Sequence, residues 1–237
     1  MIITIVAILT LVLAPAQMEA DTSDKDAYYQ VGEASRDGIG KFYMGREISH
    51  VMGHLGAGWL ERPRREREER TDLLLQNLSL KPTDNVVDLG AGTGYFSFPI
   101  ARLLTDGKVL AVDIEHKMLR LIEKRKSVEG VENIDTLLAS ERSPNIPTAS
   151  VDVVLLVDAY HEFSFPRDVM TGVVKGLKSS GRVVLVEYRG EDNNVPIKRL
   201  HKMTQHQAKK EMSAVGLQWL RTDDYLPQQH VMTFIKQ

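Results

Sequence analysis

The sequence predicts an α/β domain of three layers: a doubly wound, seven-stranded sheet, mostly parallel and finished by an antiparallel C-terminal hairpin. Three observations carry this. From residue 82 onward strand and helix signals alternate, the pattern of a parallel sheet covered by helices on both faces. A glycine-rich turn, VVDLGAGTGYF (86–96), joins the first strand of that series to its first helix. Two strand-like runs separated only by LPQQ close the chain, as antiparallel neighbours do.

Taken in order, residues 2–14 (IITIVAILTLVLA) are apolar apart from Thr4 and Thr10. The run is too short for a membrane span of about 20 residues. It has the length of a signal-peptide core, and Ala14-Pro15-Ala16 gives a small-x-small cleavage site, although no Lys or Arg precedes it. Residues 1–16 are therefore expected to be a signal peptide and 17–80 a leader and helical lid. Within 28–60, six glycines between 38 and 58 argue for irregular structure with one short helix near 46–53. Residues 61–79 read as one helix. Its opening, ERPRREREER, holds five Arg and four Glu, which reads as a solvated face with Glu61–Arg65 and Glu66–Arg70 as i,i+4 pairs. Leu73, Leu74, Leu75 and Leu78 then supply a face to dock on the next unit.

The core, 81–237, follows. Strands are expected at 85–90, 108–114, 133–139, 151–160 and 182–188. Helices are expected at 95–104, at 116–126 with Met118, Leu121 and Ile122 inward, and at 166–178 stopped by Gly181. The run VDVVLLVDAY is apolar enough to be buried on both faces. Thr204 with Gln207 forms a capping box for a helix over 205–214. Strands at 217–225 and 230–236 make the hairpin. Five βα units and the hairpin account for the seven strands. Trp219, Met203 and Met212 read as core.

Composition narrows the function classes. The 237 residues carry 30 basic and 32 acidic side chains, a net charge of −2, which argues against a nucleic-acid partner and suits a small-molecule one. With no cysteine, thiolate metal sites, disulfides and cysteine nucleophiles are excluded. Seven histidines raise the question of a metal: His50 and His54 stand at i,i+4 spacing, and His161 could join Glu162 and Glu187. HVMGH lies in the glycine-rich stretch, where helical ligand geometry is not assured, and no metal is assigned to either set.

The glycine turn is the most informative segment. Asp88, Gly90, Gly92 and Gly94 sit where strand becomes helix, and Asp113 ends the next strand, placed to accept hydrogen bonds from ribose hydroxyls. A nicotinamide fingerprint would need another glycine where Tyr95 stands, and a carboxylate at 88 would repel a pyrophosphate while suiting a cationic ligand.

This arrangement, D-x-G-x-G-x-G with the later acid and the terminal hairpin, resembles the class I S-adenosylmethionine-dependent methyltransferases over about residues 82–237. With DAYHEF (158–163), VEYRGED, LHKMT and GREISHVMGHLGAGWLERP, it is similar to a group of bacterial predicted methyltransferases that often carry export signals. The resemblance implies the class I methyltransferase fold and S-adenosylmethionine as cofactor. It implies a cofactor site of Asp88, Gly90, Ala91, Gly92, Gly94, Tyr95, Asp113, Ile114, Ser140, Glu141 and Asp158. Ile114 would pack on adenine, and Ser140 or Glu141 would meet its amino group. Transfer from an activated sulfonium asks the protein to position an acceptor and take its proton. His161 is the expected base, with Glu162 or Tyr160 orienting it or the substrate. Tyr43, Met44, His50, Met52 and Trp59 would form a lid over the cleft. The alternative is a non-catalytic S-adenosylmethionine- or nucleoside-binding protein, which Ser140 would favour. The N-terminal run predicts an exported, periplasmic protein. Cytoplasmic retention is the competing expectation, because the implied donor is cytosolic.

Overall fold

The computed structural model describes residues 26–236; the expected signal peptide and cleavage site lie outside them. The main sheet has the order β6-β5-β4-β7-β8-β10-β9. Its parallel part comprises β4 (Asn85–Leu89), β5 (Lys108–Asp113), β6 (Ile134–Leu138), β7 (Val151–Val157) and β8 (Leu177–Tyr188). The final strands, β9 (Leu217–Asp223) and β10 (Gln229–Lys236), are the expected antiparallel pair, with β10 lying against β8.

Alternate side chains of each central strand feed opposite faces, as strand geometry requires. Val86, Val153 and Leu155 pack with α3 (Thr71–Asn77), α4 (Ser97–Leu103) and α5 (His116–Glu129). Val87, Val154 and Leu156 pack with α6 (Pro166–Gly176) and α7 (Gln205–Ser213). The nearly all-apolar β7 run is thus buried on both faces from Val153 to Leu156, as its composition predicts.

Several local expectations are corrected. No helix joins β6 to β7, so the five βα units number four among the described residues. Residues 158–160 leave β7: Asp158 adopts φ +49° and Tyr160–Glu162 form a 3₁₀ turn. Gly181 lies inside β8, and α6 ends at Gly176 instead. On α5 it is Leu119 that joins Met118 and Ile122 in burial, while Leu121 is 43% exposed. Thr204 does cap α7 by accepting from the Gln207 N–H, but the Gln207 amide donates to the Met44 carbonyl and to Glu211 rather than closing the box. Met203 and Met212 are core. Trp219 is not: on the edge strand β9 it is exposed and stacked under Lys209.

The N-terminal segment differs most. Where irregular chain and a helix at 46–53 are expected, an antiparallel sheet forms from β1 (Tyr29–Val31), β2 (Gly38–Tyr43) and β3 (Arg46–Ser49). Glycines at 40 and 45 take positive φ, so they serve a β-bulge and a tight turn rather than breaking order. The helix predicted over 61–79 is split at Arg70, φ +53°, into α2 (Arg65–Glu69) and α3, following a short α1 (Ala57–Leu60). Its charged run is not simply a solvated face. Arg65 and Glu69 are buried and paired, and Glu61 accepts from Thr93 instead of pairing with Arg65. No helix among the described residues is long and apolar enough to cross a membrane.

Candidate active site

At the carboxyl ends of β4, β5 and β7 lies a cleft of about 870 Å³ including its open mouth, where open α/β sheets bind ligands. The glycine turn forms its floor. Gly90 and Ala91 donate their N–H groups to the Val112 carbonyl at 2.8 and 3.0 Å. Gly92 donates to Asp113 Oδ2 at 2.8 Å. The other Asp113 oxygen accepts from the Glu115 N–H at 2.7 Å. One carboxylate thereby clamps the turn to the end of β5 and keeps lone pairs for a ligand. Gly90 and Gly92 have φ of +81° and +54°. A Cβ at Gly90 would come within 2.6 Å of the Ala159 Cβ, and one at Gly92 within 2.6 Å of Leu60 Cδ1. The backbone conformation disfavours a side chain at both positions, and at Gly92 a Cβ would also require the end of Leu60 to move.

Of the eleven expected cofactor residues, Gly90, Gly92, Asp113, Ile114, Ser140, Glu141 and Asp158 line this cleft. The other four do not. Asp88 is buried beneath the turn, where its carboxylate accepts from Ser97 Oγ at 2.6 Å. Burial, helped by nearby Asp113 and opposed by that hydrogen bond, pushes its pKa up to about 6. It therefore fastens the turn to α4. Ala91 is buried, and Gly94 packs on Phe98 and Ile122. The Tyr95 hydroxyl is hydrogen-bonded to Thr71, with the Arg65 guanidinium 4.3 Å from the ring centroid.

Asp158 stands at the junction with a second cavity. Its Oδ2 accepts from Gln229 Nε2 at 3.1 Å, while its buried Oδ1 has no partner among the described residues. Burial, then the charges of Glu69 and Glu187, hold its pKa well above the ordinary carboxylate value. The two cavities share Val51, Met52, Asp158 and Glu162.

His161 lines the second cavity yet is only 2% exposed. Glu187, fully buried on β8, fixes it twice: Oε2 lies 2.7 Å from Nδ1 and Oε1 accepts the backbone N–H at 3.3 Å. Burial disfavours the charged ring, but the Glu187 carboxylate outweighs it and the pKa lies above the usual histidine value. Glu162 turns one oxygen to the Met52 N–H at 3.0 Å. Tyr160, the third expected catalytic side chain, points elsewhere. It lines neither cavity, and its buried hydroxyl donates to Glu211 at 2.8 Å. The sequence reading missed His201, whose Nδ1 lies 3.2 Å from His161 Nε2; the phrase LHKMT contains it, but nothing local marks it as facing His161.

The roof comes from the N-terminal segment. Val51, Met52 and Leu60 cover the first cavity, and His50 and Trp59 the second. Of the expected lid residues, Tyr43 is instead buried against Tyr29, and Met44 occupies a turn whose carbonyl accepts from Lys210.

A family profile described as "Methyltransferase domain" matches residues 80–235. An uncharacterized methyltransferase-like protein of Schizosaccharomyces pombe is 28% identical over 63% of this chain and 56% of its own length. The uncharacterized methyltransferase YcgJ of Bacillus subtilis is 25% identical over 54% of this chain and 49% of its own. The chain thus spans about half the length of these curated relatives. Among solved structures, a SAM-dependent methyltransferase of Aquifex aeolicus superposes with a TM-score of 0.73 at 17% identity, over 78% of this chain and 98% of that one. The [4+2]-cyclase SpnF superposes at 0.61 and 15% identity, over 70% and 80%, so the shared fold does not by itself fix a reaction. The family profile runs from just before β4 and its glycine turn into β10: this chain belongs to the methyltransferase domain family.

Proposed function

We propose that the protein is an S-adenosylmethionine-dependent methyltransferase acting on a small-molecule acceptor. The observation that carries this reading is the glycine turn clamped by Asp113, with Gly90 and Gly92 in a backbone conformation that disfavours side chains. Bare backbone at that place suits close approach by the ribose and amino-acid part of the donor. Asp113 would accept from the ribose hydroxyls, and Ile114 would offer apolar surface to the adenine, next to Ser140 and Glu141. The partnerless Asp158 oxygen suits a donor that is cationic at sulfur and nitrogen.

When bound, the donor supplies an electrophilic methyl group. The chain would hold the acceptor in the second cavity, below His50 and Trp59, with the hydroxyl or amine to be methylated directed at the shared wall of Asp158 and Glu162. We assign ionisation of the acceptor to the corner of that cavity formed by His161, Glu162 and His201. Glu187 keeps its proton-bearing partner, His161 Nδ1, occupied and leaves Nε2 toward the cavity. Tyr160 would act only in holding the fold.

Titration calorimetry with S-adenosylmethionine tests the first half of the reading. Micromolar binding is expected, with at least a hundredfold loss in Asp113→Ala. Absence of binding overturns the proposal. S-adenosylhomocysteine release, measured over a panel of phenols, hydroxy acids and amines, tests the second half. Tight binding with no release on any acceptor would favour a non-catalytic binding protein.

A further inference from the structure

We propose that His161, Glu162 and His201 form a binding site for one divalent first-row transition-metal ion on the acceptor side of the cleft. The three donors come from two separate 3₁₀ turns, Tyr160–Glu162 after β7 and Arg199–His201 in the long connection to α7. His161 Nε2 and His201 Nδ1 are 3.2 Å apart. Glu162 Oε1 is 3.8 Å from the first and 3.6 Å from the second. The point equidistant from three atoms so spaced lies about 2 Å from each, the length of a zinc–nitrogen or zinc–carboxylate bond, about 2.0–2.2 Å.

Hydrogen bonding explains this cluster poorly. With Glu187 on Nδ1, His161 presents a lone pair at Nε2, which one proton on His201 Nδ1 would satisfy. Glu162 Oε1 would still lie beyond hydrogen-bond distance of both rings, and no donor reaches it among the described residues. A cation at the centre satisfies all three. The supporting groups have the form that metal sites use: a carboxylate behind one ligating histidine fixes its tautomer, and the Met52 N–H holds the second oxygen of Glu162.

Local charge agrees. Asp37, Asp158 and Glu162 line the second cavity; its one Lys or Arg among the described residues, Lys198, is paired with Asp37 at 2.6 Å. Two imidazoles and one carboxylate favour zinc, iron(II), cobalt or manganese over magnesium and calcium, which prefer oxygen sets. Three protein ligands leave coordination positions open, as catalytic sites do.

The ligand class follows, and this part rests on the methyltransferase reading above: an acceptor that coordinates through an acidic hydroxyl, such as a phenol or enol. Coordination lowers the hydroxyl pKa and its proton passes to solvent. The resulting oxyanion forms the O–CH₃ bond as the S–CH₃ bond breaks, and the electron pair stays on sulfur as a neutral thioether.

The test uses the full chain, stripped with chelator and dialysed against micromolar cobalt(II) or zinc(II). One metal per chain by atomic emission is expected, with visible cobalt bands of a nitrogen–oxygen site. Both should fall at least tenfold in His201→Ala, while S-adenosylmethionine affinity stays within threefold. Glu162→Gln provides a second variant should His201→Ala lose its folded circular dichroism. Metal uptake equal in wild type and the folded variant, or none in either, overturns the inference. If metal binds as expected and S-adenosylmethionine does not, the cofactor reading fails and the metal site stands.

Discussion

Along β7 every buried residue is aliphatic, whereas the segment from Tyr29 to Arg70 is tied to the same body by a set of charged and hydroxyl side chains. Arg46 of β3 reaches the buried Glu211 of α7 through two hydrogen bonds of 2.9 and 3.0 Å, and Tyr160 and Gln207 donate to the same carboxylate. Glu69 of α2 collects Arg62, Arg65 and, from β8, Tyr188. Tyr29 donates to Asp168 at 2.6 Å. Apolar strands tolerate many sequences that keep volume and alternation. A buried ion pair tolerates few, because removing one partner strands the other charge in a poor solvent. The scaffold is therefore generic, and the docking of the roof, which shapes the cavities, is specific.

The sharpest way to break this contrast is Glu211→Ala. It leaves Arg46 buried and unpaired, and a loss of about 3–5 kcal/mol is expected in urea unfolding. The paired apolar replacement, Arg46→Met with Glu211→Met, should recover most of that loss; failure to recover it would mean that the pair contributes more than mutual neutralisation. On the sheet side, Ile122→Val is expected to cost only about 0.5–1.5 kcal/mol, as one missing methyl group does.

His230 supplies a pH signature. It is fully buried on β10 with neither ring nitrogen hydrogen-bonded among the described residues. Burial holds its pKa below the ordinary 6.5 despite Glu191 at 4.0 Å and Glu187 on the paired strand, with Arg189 and Asp224 nearby. Because the unfolded chain takes up the proton first, stability from this residue falls as pH drops through 6.5. Wild type minus His230→Gln, followed by thermal melting from pH 7.5 to 5.5, should show that decline; a flat difference would count against it. The smallest effect is expected at Lys198→Ala, whose ion pair with Asp37 is open to water: no measurable change in melting temperature.

The legible parts of the molecule were those governed by short-range pattern. The apolar strand runs at 85–89 and 151–157, the glycine turn and the LPQQ hairpin each depend on residues close in sequence. The illegible parts depend on partners far apart: His161 meets His201 forty residues later, and Arg46 meets Glu211 after 165. The glycines of 38–58 misled for a related reason. Glycine signals a positive φ or a tight turn, and both occur in a small twisted sheet as readily as in irregular chain. Asp88 and Tyr160 show that a residue type suited to chemistry can be used for anchoring, once topology points it inward.

The wall common to the two cavities has a thermodynamic consequence. Met52 gives its N–H to Glu162, and both residues, with Val51 and Asp158, border each cavity. Any displacement of that wall on filling one cavity alters the free energy of filling the other. Linkage makes the effect mutual, so a factor by which the first occupant changes the affinity of the second must equal the factor in the reverse order.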